Sequence, residues 1–156
     1  MDASVSGTAV ASNNTIAGPL FIGGGGITTN TNWLGAFVYY ITGSISVDPG
    51  VTLQITPGCV VKFAQSRGMY VAGTLDARAS SGSEIYFTDF RDDAIGGDSN
   101  GDGIATAPAS GWWDNIYIDN NAAAMLDHCV VRYGGKGSPY TNFYKTGAGG
   151  LSILNS

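Results

Sequence analysis

The chain alternates apolar and polar residues in short runs, and the same runs return along its length. The first kind of run occurs three times, at residues 59–63, 83–87 and 129–133. The second kind occurs four times, at residues 44–47, 68–71, 115–118 and 150–153. Short alternating runs predict β-strands with one buried face. Because they return about every 24 residues, they predict a solenoid, in which each repeat buries its apolar face against its neighbours.

Alignment of the runs assigns each side chain to the inside or the outside of the solenoid. When the three runs of the first kind are stacked, equivalent positions form columns along the solenoid. One column is aromatic and predicts an inward ladder of Phe63, Phe87 and Tyr133. The opposite column is expected to face solvent and contains Lys62, Tyr86 and Arg132. In the second kind the middle residue points outward, and these residues are Ser46, Tyr70, Tyr117 and Ser152.

The repeats divide the chain into a leader and a solenoid domain. Residues 1–29 are small and polar, with four glycines at 23–26, and we interpret them as a leader that caps the solenoid or donates a strand to a neighbour. Residues 30–156 form the solenoid, with polar insertions at 91–110 and 134–149. The pattern predicts about three to four coils and a C-terminal end without a cap. Such an end exposes unpaired strand groups, which favours assembly into an oligomer or filament.

Several motifs within the solenoid are shared with a known group of proteins. They lie at residues 40–55, 57–58, 60–63, 73–75, 85–88 and 126–133. In these motifs the chain resembles the right-handed parallel β-helix repeat proteins of the pectate-lyase-like superfamily, of the secreted or surface type. The resemblance implies an all-β, right-handed parallel β-helix. It implies no single activity, because this fold is found in lyases, hydrolases, adhesins and inert spacers.

Composition and charge exclude some classes of partner. The 156 residues include 24 glycines, and seven Lys and Arg stand against 12 Asp and Glu, which gives a net charge of -5. Phosphate binding needs a basic surface, so we do not expect a nucleic-acid partner. No apolar run has the length of a membrane span. A surface that is acidic and rich in Gly, Ser, Thr and Asn favours an extracellular or cell-surface location.

The first insertion contains a candidate calcium loop, Asp98-Ser-Asn-Gly-Asp-Gly103. Oxygen ligands at alternate positions let a short loop fold around a hard cation. The expected ligands are the side chains of Asp98, Asn100 and Asp102 and the carbonyl of Ile104. The ion would have a structural role, because it would pin the loop rather than activate water.

Two features of this loop leave alternatives open. The bidentate glutamate of an EF-hand loop would fall at Ala109, so Asp92, Asp93 or water would have to complete the site. A turn without metal is the other interpretation, because Asp, Asn and Gly favour such turns in any case.

Aromatic residues near the first insertion form a candidate carbohydrate site, consisting of Tyr70, Trp112, Trp113 and Tyr117. An aromatic ring with a polar tip is suited to stacking on a sugar ring. The favoured alternative is that these side chains pack beneath the insertions, as aromatic residues more often do.

The two cysteines and the single histidine do not form a reactive site in the predicted register. Cys59 and Cys129 occupy equivalent positions two coils apart, a separation of about 9.6 Å at the usual strand spacing. A disulfide reaches about 7 Å, so we expect two buried free thiols. His128 has no second histidine or thiol partner for zinc, and we expect it on the surface or in a turn.

These observations favour a non-catalytic, extracellular structural β-helix module that assembles end to end. The alternatives are a carbohydrate-binding or adhesion module, and a fragment of a polysaccharide lyase or hydrolase. An enzyme is less favoured because Lys62 and Arg132, the stacked cations, are predicted to lie away from the Asp98 loop, and no pair of carboxylates has a glycosidase pattern.

Overall fold

Residues 19–156 wind into a parallel β-helix of five coils with three short strands in each. The computed structural model describes residues 19–156. The first two coils contain β1 (Leu20–Ile22), β2 (Gly25–Ile27), β3 (Thr31–Trp33), β4 (Val38–Ile41), β5 (Ile45–Val47) and β6 (Thr52–Ile55). The third and fourth contain β7 (Val60–Phe63), β8 (Met69–Val71), β9 (Thr74–Arg78), β10 (Ile85–Asp89), β11 (Ile116–Ile118) and β12 (Ala123–Asp127). The fifth contains β13 (Cys129–Val131), β14 (Phe143–Lys145) and β15 (Leu151–Leu154).

Three parallel sheets of five strands run along the helix axis, which confirms the predicted fold class. The first strand of each coil belongs to sheet A, the second to sheet B and the third to sheet C. The predicted inward residues of sheet B, such as Ile45, Met69 and Ile116, pair with one another and are buried. Alternation therefore determines which side of each strand faces the core.

The tight corner between sheets B and C at Gly73 has no room for a side chain. A Cβ atom on Gly73 would lie 2.2 Å from the carbonyl oxygen of Val51 and 2.3 Å from that of Asp48. Gly73 instead brings the chain close enough to the preceding coil for its N–H to donate to the carbonyl of Val47 at 3.1 Å. The corner is therefore fixed by direct backbone contact between consecutive coils.

Part of the predicted leader forms strands. Strand β1 pairs with β4, and β2 pairs with β5, so the first coil begins at Leu20 rather than at residue 30. The rest of that segment, residues 1–18, lies outside the described residues. This first coil is one reason for the difference between the five coils observed and the three to four predicted.

The aromatic ladder predicted on sheet A is wrong in register by two residues. Phe87 pairs with Val61 and Val131, whereas Phe63 pairs with Asp89. The cause is the corner before β10, which spans residues 79–84, while the corner before β7 spans only residues 56–59. A shift of two residues keeps every side chain on its predicted face, so Phe63 and Phe87 are still buried.

The fifth coil also differs from the prediction. Leu151 and Ile153 belong to sheet C, where they pair with Ala124 and Leu126. Sheet B is continued instead by β14, which lies within the predicted second insertion and pairs with β11. Strand β15 is exposed over its whole length.

The cysteines are free and buried, as the register predicts. Cys129 pairs with Ile85, and the N–H of Tyr86 donates to the carbonyl of Cys59, so the two cysteines flank the same strand from opposite sides. Burial raises the pKa of each thiol to about 12. His128 forms the single-residue corner between β12 and β13 with a φ of 50°.

No helix within residues 19–156 is both long enough and apolar enough to cross a membrane.

Candidate metal centre

The first insertion folds against the outer face of sheet A and covers Lys62. The Lys62 side chain is 0% exposed. Its ammonium group donates hydrogen bonds to the carbonyl oxygens of Asp92 at 2.9 Å and Gly97 at 2.7 Å. A Cβ atom on Gly96 would lie 3.0 Å from Val38 and 3.4 Å from the Lys62 Cε atom, so the loop backbone lies directly on the sheet.

The predicted solvent-facing column of sheet A is therefore wrong. Thr88, rather than Tyr86, pairs with Lys62, because of the same shift of two residues. Lys62 contacts the insertion instead of solvent, and Arg132 contacts it while 32% of its side chain stays exposed. Insertions of this length on a β-helix can fold back over a strand face, which strand alternation alone does not reveal.

Two buried aspartates fasten the two ends of the insertion. The Asp92 Oδ2 atom accepts hydrogen bonds from Arg132 Nε at 2.8 Å and Nη2 at 2.6 Å, and another from the Thr88 hydroxyl. Asp89 pairs with Arg91 at 2.7 Å and also accepts the N–H of Ala109 at 3.1 Å. Buried carboxylates with this number of donors hold their partners in one geometry.

Three carboxylates converge inside the insertion. One oxygen from each of Asp93, Asp98 and Asp102 lies within 4.8 Å of the other two. The Oδ1 atoms of Asp93 and Asp102 are buried and have no hydrogen-bond partner among the described residues. A buried carboxylate oxygen without a donor is unfavourable, and a bound divalent cation would satisfy both oxygens.

Backbone N–H groups arrange the Asp98 carboxylate at this centre. Its Oδ1 accepts the N–H of Gly101 at 2.7 Å, and its Oδ2 accepts the N–H of Gly103 at 2.9 Å. The Gly103 hydrogen bond is the main reason that the pKa of Asp98 lies below its usual value. Gly101 and Gly103 both have a φ of 71°, a left-handed conformation that glycine adopts without strain.

Lys62 is the nearest buried cation to this centre. Burial lowers its pKa, and this effect is opposed by Asp92, Asp93, Asp98 and Asp89, in that order. Of these four carboxylates, Asp89 and Asp92 also pair with Arg91 and Arg132.

The structure brings together some of the predicted ligands. Asp98 and Asp102 lie in the cluster, and Asp93 is the third carboxylate. Asn100 uses its amide nitrogen to donate to Asp102 Oδ2 at 2.9 Å, so its side chain braces the loop. The Ile104 side chain is 95% exposed, and ligation by its carbonyl stays a prediction. The sequence left Asp92, Asp93 and water open as the remaining ligand. Asp93 lies in the cluster, whereas Asp92 is paired with Arg132.

The four residues of the predicted carbohydrate site do not form one surface. Trp113 is 0% exposed and stacks on Phe63 at 4.5 Å, so the prediction that it faces a ligand is wrong. Trp112 is half-buried beneath Arg91, whose guanidinium lies 3.4 Å from the ring centroid. Tyr70 and Tyr117 do share the outer face of sheet B, with rings stacked at 5.3 Å.

Comparison with known proteins gives one partial match. A stretch of 76 residues is 38% identical to Protein bark beetle of Drosophila melanogaster, and this stretch is 49% of the present chain but 2% of that protein. No protein-family model matches the chain, and no solved structure matches it.

Proposed function

We propose that this chain is a non-catalytic, extracellular structural β-helix module that assembles end to end. The observation that carries the proposal is the exposed strand β15. Leu151, Ile153 and Leu154 are 44%, 48% and 55% exposed. Their partners in the preceding coil include Ala124 and Leu126, which are 1% and 2% exposed.

A further coil would bury this edge. In a solenoid the core positions of each coil are covered by the next coil, and the unpaired N–H and C=O groups of an edge strand are a template for pairing. Such a coil can come from a second copy of the chain, and this is the arrangement that our proposal puts to the test. Head-to-tail contacts of this kind extend into filaments unless the rotation closes a ring.

The non-catalytic part of the proposal is supported by the cations of sheet A. A polysaccharide lyase needs a positioned base that is free to take a proton. Lys62 is sealed beneath the insertion, and Arg132 is engaged by Asp92 through two nitrogen atoms. Both cations therefore contribute to structure, and the insertion covers Lys62 on the outer face of sheet A.

Changing the charge on β15 tests the assembly. We expect Ile153→Lys to weaken self-association at least about tenfold, because an ammonium group would have to be buried against the next coil. The measurement is sedimentation velocity over a range of protein concentrations. The matched control is Ser152→Lys, which adds the same charge one residue away on the outward side and is expected to retain association. A chain that stays monomeric at every concentration, or equal association by both variants, would contradict the proposal.

We further propose that Asp93, Asp98 and Asp102 bind calcium and thereby hold the insertion on sheet A. Calcium takes six to eight oxygen ligands, so backbone carbonyls or water would complete the three carboxylates. An ion here would compensate the repulsion between them and satisfy the two buried oxygens. The proposed role is structural, because the insertion that the ion pins also carries Asp92 and covers Lys62.

Calcium is expected to stabilise the fold. For dissociation constants of about 0.1–1 mM, typical of extracellular modules, 10 mM calcium should raise the free energy of unfolding by about 1.4–2.7 kcal/mol. Denaturant titrations with calcium and with a chelator measure this difference. Asp102→Asn should remove most of it, whereas the control Asp76→Asn, on the exposed face of sheet C, should retain it. Equal stability of the wild type with calcium and with chelator would rule out the site.

A further inference from the structure

A second candidate site lies on the outer face at the start of sheet B. It is a cleft of about 160 Å³ between the second, third and fourth coils. That volume corresponds to about five water molecules, below the usual size of drug-like pockets, and suits one small ring. The cleft lies on sheet B, whereas the calcium centre lies on the outer face of sheet A.

Glycine at position 68 creates this cleft. Strand alternation places Gly68 on the outward side with Tyr70, between Ser44 of the preceding coil and Asn115 of the following one. A Cβ atom on Gly68 would lie 2.7 Å from the Asn115 carbonyl oxygen, so no side chain fits there. The absence of a side chain in an otherwise continuous column leaves the space open.

One wall of the cleft is aromatic and rigid. Tyr70 and Tyr117 stack at 5.3 Å with an interplanar angle of 11°. The Tyr70 hydroxyl donates to Asp119 at 2.6 Å, and the Tyr117 hydroxyl is paired with Thr146. Because both hydroxyl groups are bonded elsewhere, the rings offer mainly apolar surface to a ligand.

The end of the cleft is polar and has spare hydrogen-bonding capacity. Asn115 is 7% exposed and points outward by alternation, yet its carboxamide has no hydrogen-bond partner among residues 19–156. Within the same residues the Asp114 carboxylate also lacks one. The Ser44 hydroxyl accepts the N–H of Gly68 at 3.3 Å and keeps its own proton to donate. Within the described residues the Asn115 carboxamide is not among the buried polar atoms without a partner, so it reaches solvent and is available to a ligand.

From this arrangement we propose that the cleft binds a single neutral pyranose ring of a glycan. The apolar face of the sugar would lie against the tyrosine wall, and adjacent hydroxyl groups would donate to Asp114 and exchange hydrogen bonds with the Asn115 carboxamide. A uronic acid does not suit the cleft, because its carboxylate would lie beside Asp114 in a chain of net charge -5. This proposal is independent of the assembly of the chain and of its calcium site.

Protein-observed NMR with simple glycosides tests the proposal. The probes are methyl β-D-glucopyranoside, methyl β-D-galactopyranoside and methyl α-D-mannopyranoside, with D-galacturonate as the acidic comparison. We expect at least one neutral glycoside to shift the amide signals of Gly68, Tyr70 and Asn115 with millimolar affinity, and D-galacturonate to shift them less.

Substitutions in the cleft give a second test of the proposal. Tyr70→Ser and Asp114→Asn change partly exposed side chains, and each should weaken binding about tenfold. Tyr144→Ser is the matched control, because Tyr144 continues the tyrosine column on β14 and is not among the residues that line the cleft. No shift with any neutral glycoside, a larger shift with D-galacturonate, or unchanged binding in folded Tyr70→Ser would overturn the proposal.

Discussion

Replacing Asp92 with alanine is expected to lower the free energy of unfolding by about 3 kcal/mol. Loss of one partner of a buried ion pair costs about 3–5 kcal/mol, and the lower value applies here because the Arg132 side chain is 32% exposed and partly hydrated. Thr88 would also lose its acceptor, and Lys62 would lose the carboxylate that most favours its charged form. Urea titration followed by circular dichroism measures the change.

An ion pair on sheet C, in which Arg78 is exposed and the Asp76 side chain is 13% exposed, gives the control. Asp76 pairs with Arg78 at 2.7 Å, and the Arg78 side chain is 59% exposed. Asp76→Ala should therefore change the free energy of unfolding by less than about 1 kcal/mol. If Asp92→Ala cost no more than Asp76→Ala, the insertion would not be fastened through Asp92. The double variant Asp92→Ala/Arg132→Ala should recover part of the loss, because it removes the unpaired charge as well.

Replacing Trp113 with alanine is expected to lower the free energy of unfolding by about 3–5 kcal/mol, the usual cost of truncating a buried tryptophan. The side chain is fully buried, stacks on Phe63 and donates from Nε1 to the Arg132 carbonyl at 2.9 Å. The alanine variant would leave a cavity in place of the indole ring, at the point where the first insertion rejoins the coil. Thermal and urea unfolding measure the loss.

Tyr70 is the comparison residue for Trp113, because the sequence predicts both in the candidate carbohydrate site. Tyr70 is 42% exposed, so Tyr70→Ala should cost less than about 1 kcal/mol. Trp113→Phe should fall between the two alanine variants, since it retains an aromatic ring against Phe63 but loses the indole N–H. Equal costs for Trp113→Ala and Tyr70→Ala would contradict the core position of Trp113.

The fold could be predicted from the sequence because strand alternation is robust to small errors. The register on sheet A was shifted by two residues, yet Phe63 and Phe87 still faced the core, since a shift of two preserves the side of the strand. The number of coils was harder to predict. Strand β14 has little alternation of its own to mark it within a polar stretch, and its residues are only half-buried.

The metal centre could be predicted only in part, for a related reason. The spacing of Asp98 and Asp102 is local, and the sequence shows it directly. The choice of Asp93 over Asp92 depends on Arg132, which lies in the following coil. The burial of Lys62 and Trp113 depends in the same way on where the insertion folds, and a strand pattern carries no information about that.

The first insertion joins several coils through side-chain and backbone contacts that add to the strand pairing. Strands hydrogen-bond only to adjacent coils, so a β-helix can fray from its edge one coil at a time. The insertion leaves the fourth coil, accepts hydrogen bonds from Lys62 in the third and pairs through Asp92 with Arg132 beyond β13 in the fifth. The insertion also packs on Val38 of the second coil, so the second to fifth coils should open together as one cooperative unit in native-state hydrogen exchange, while the first coil opens separately.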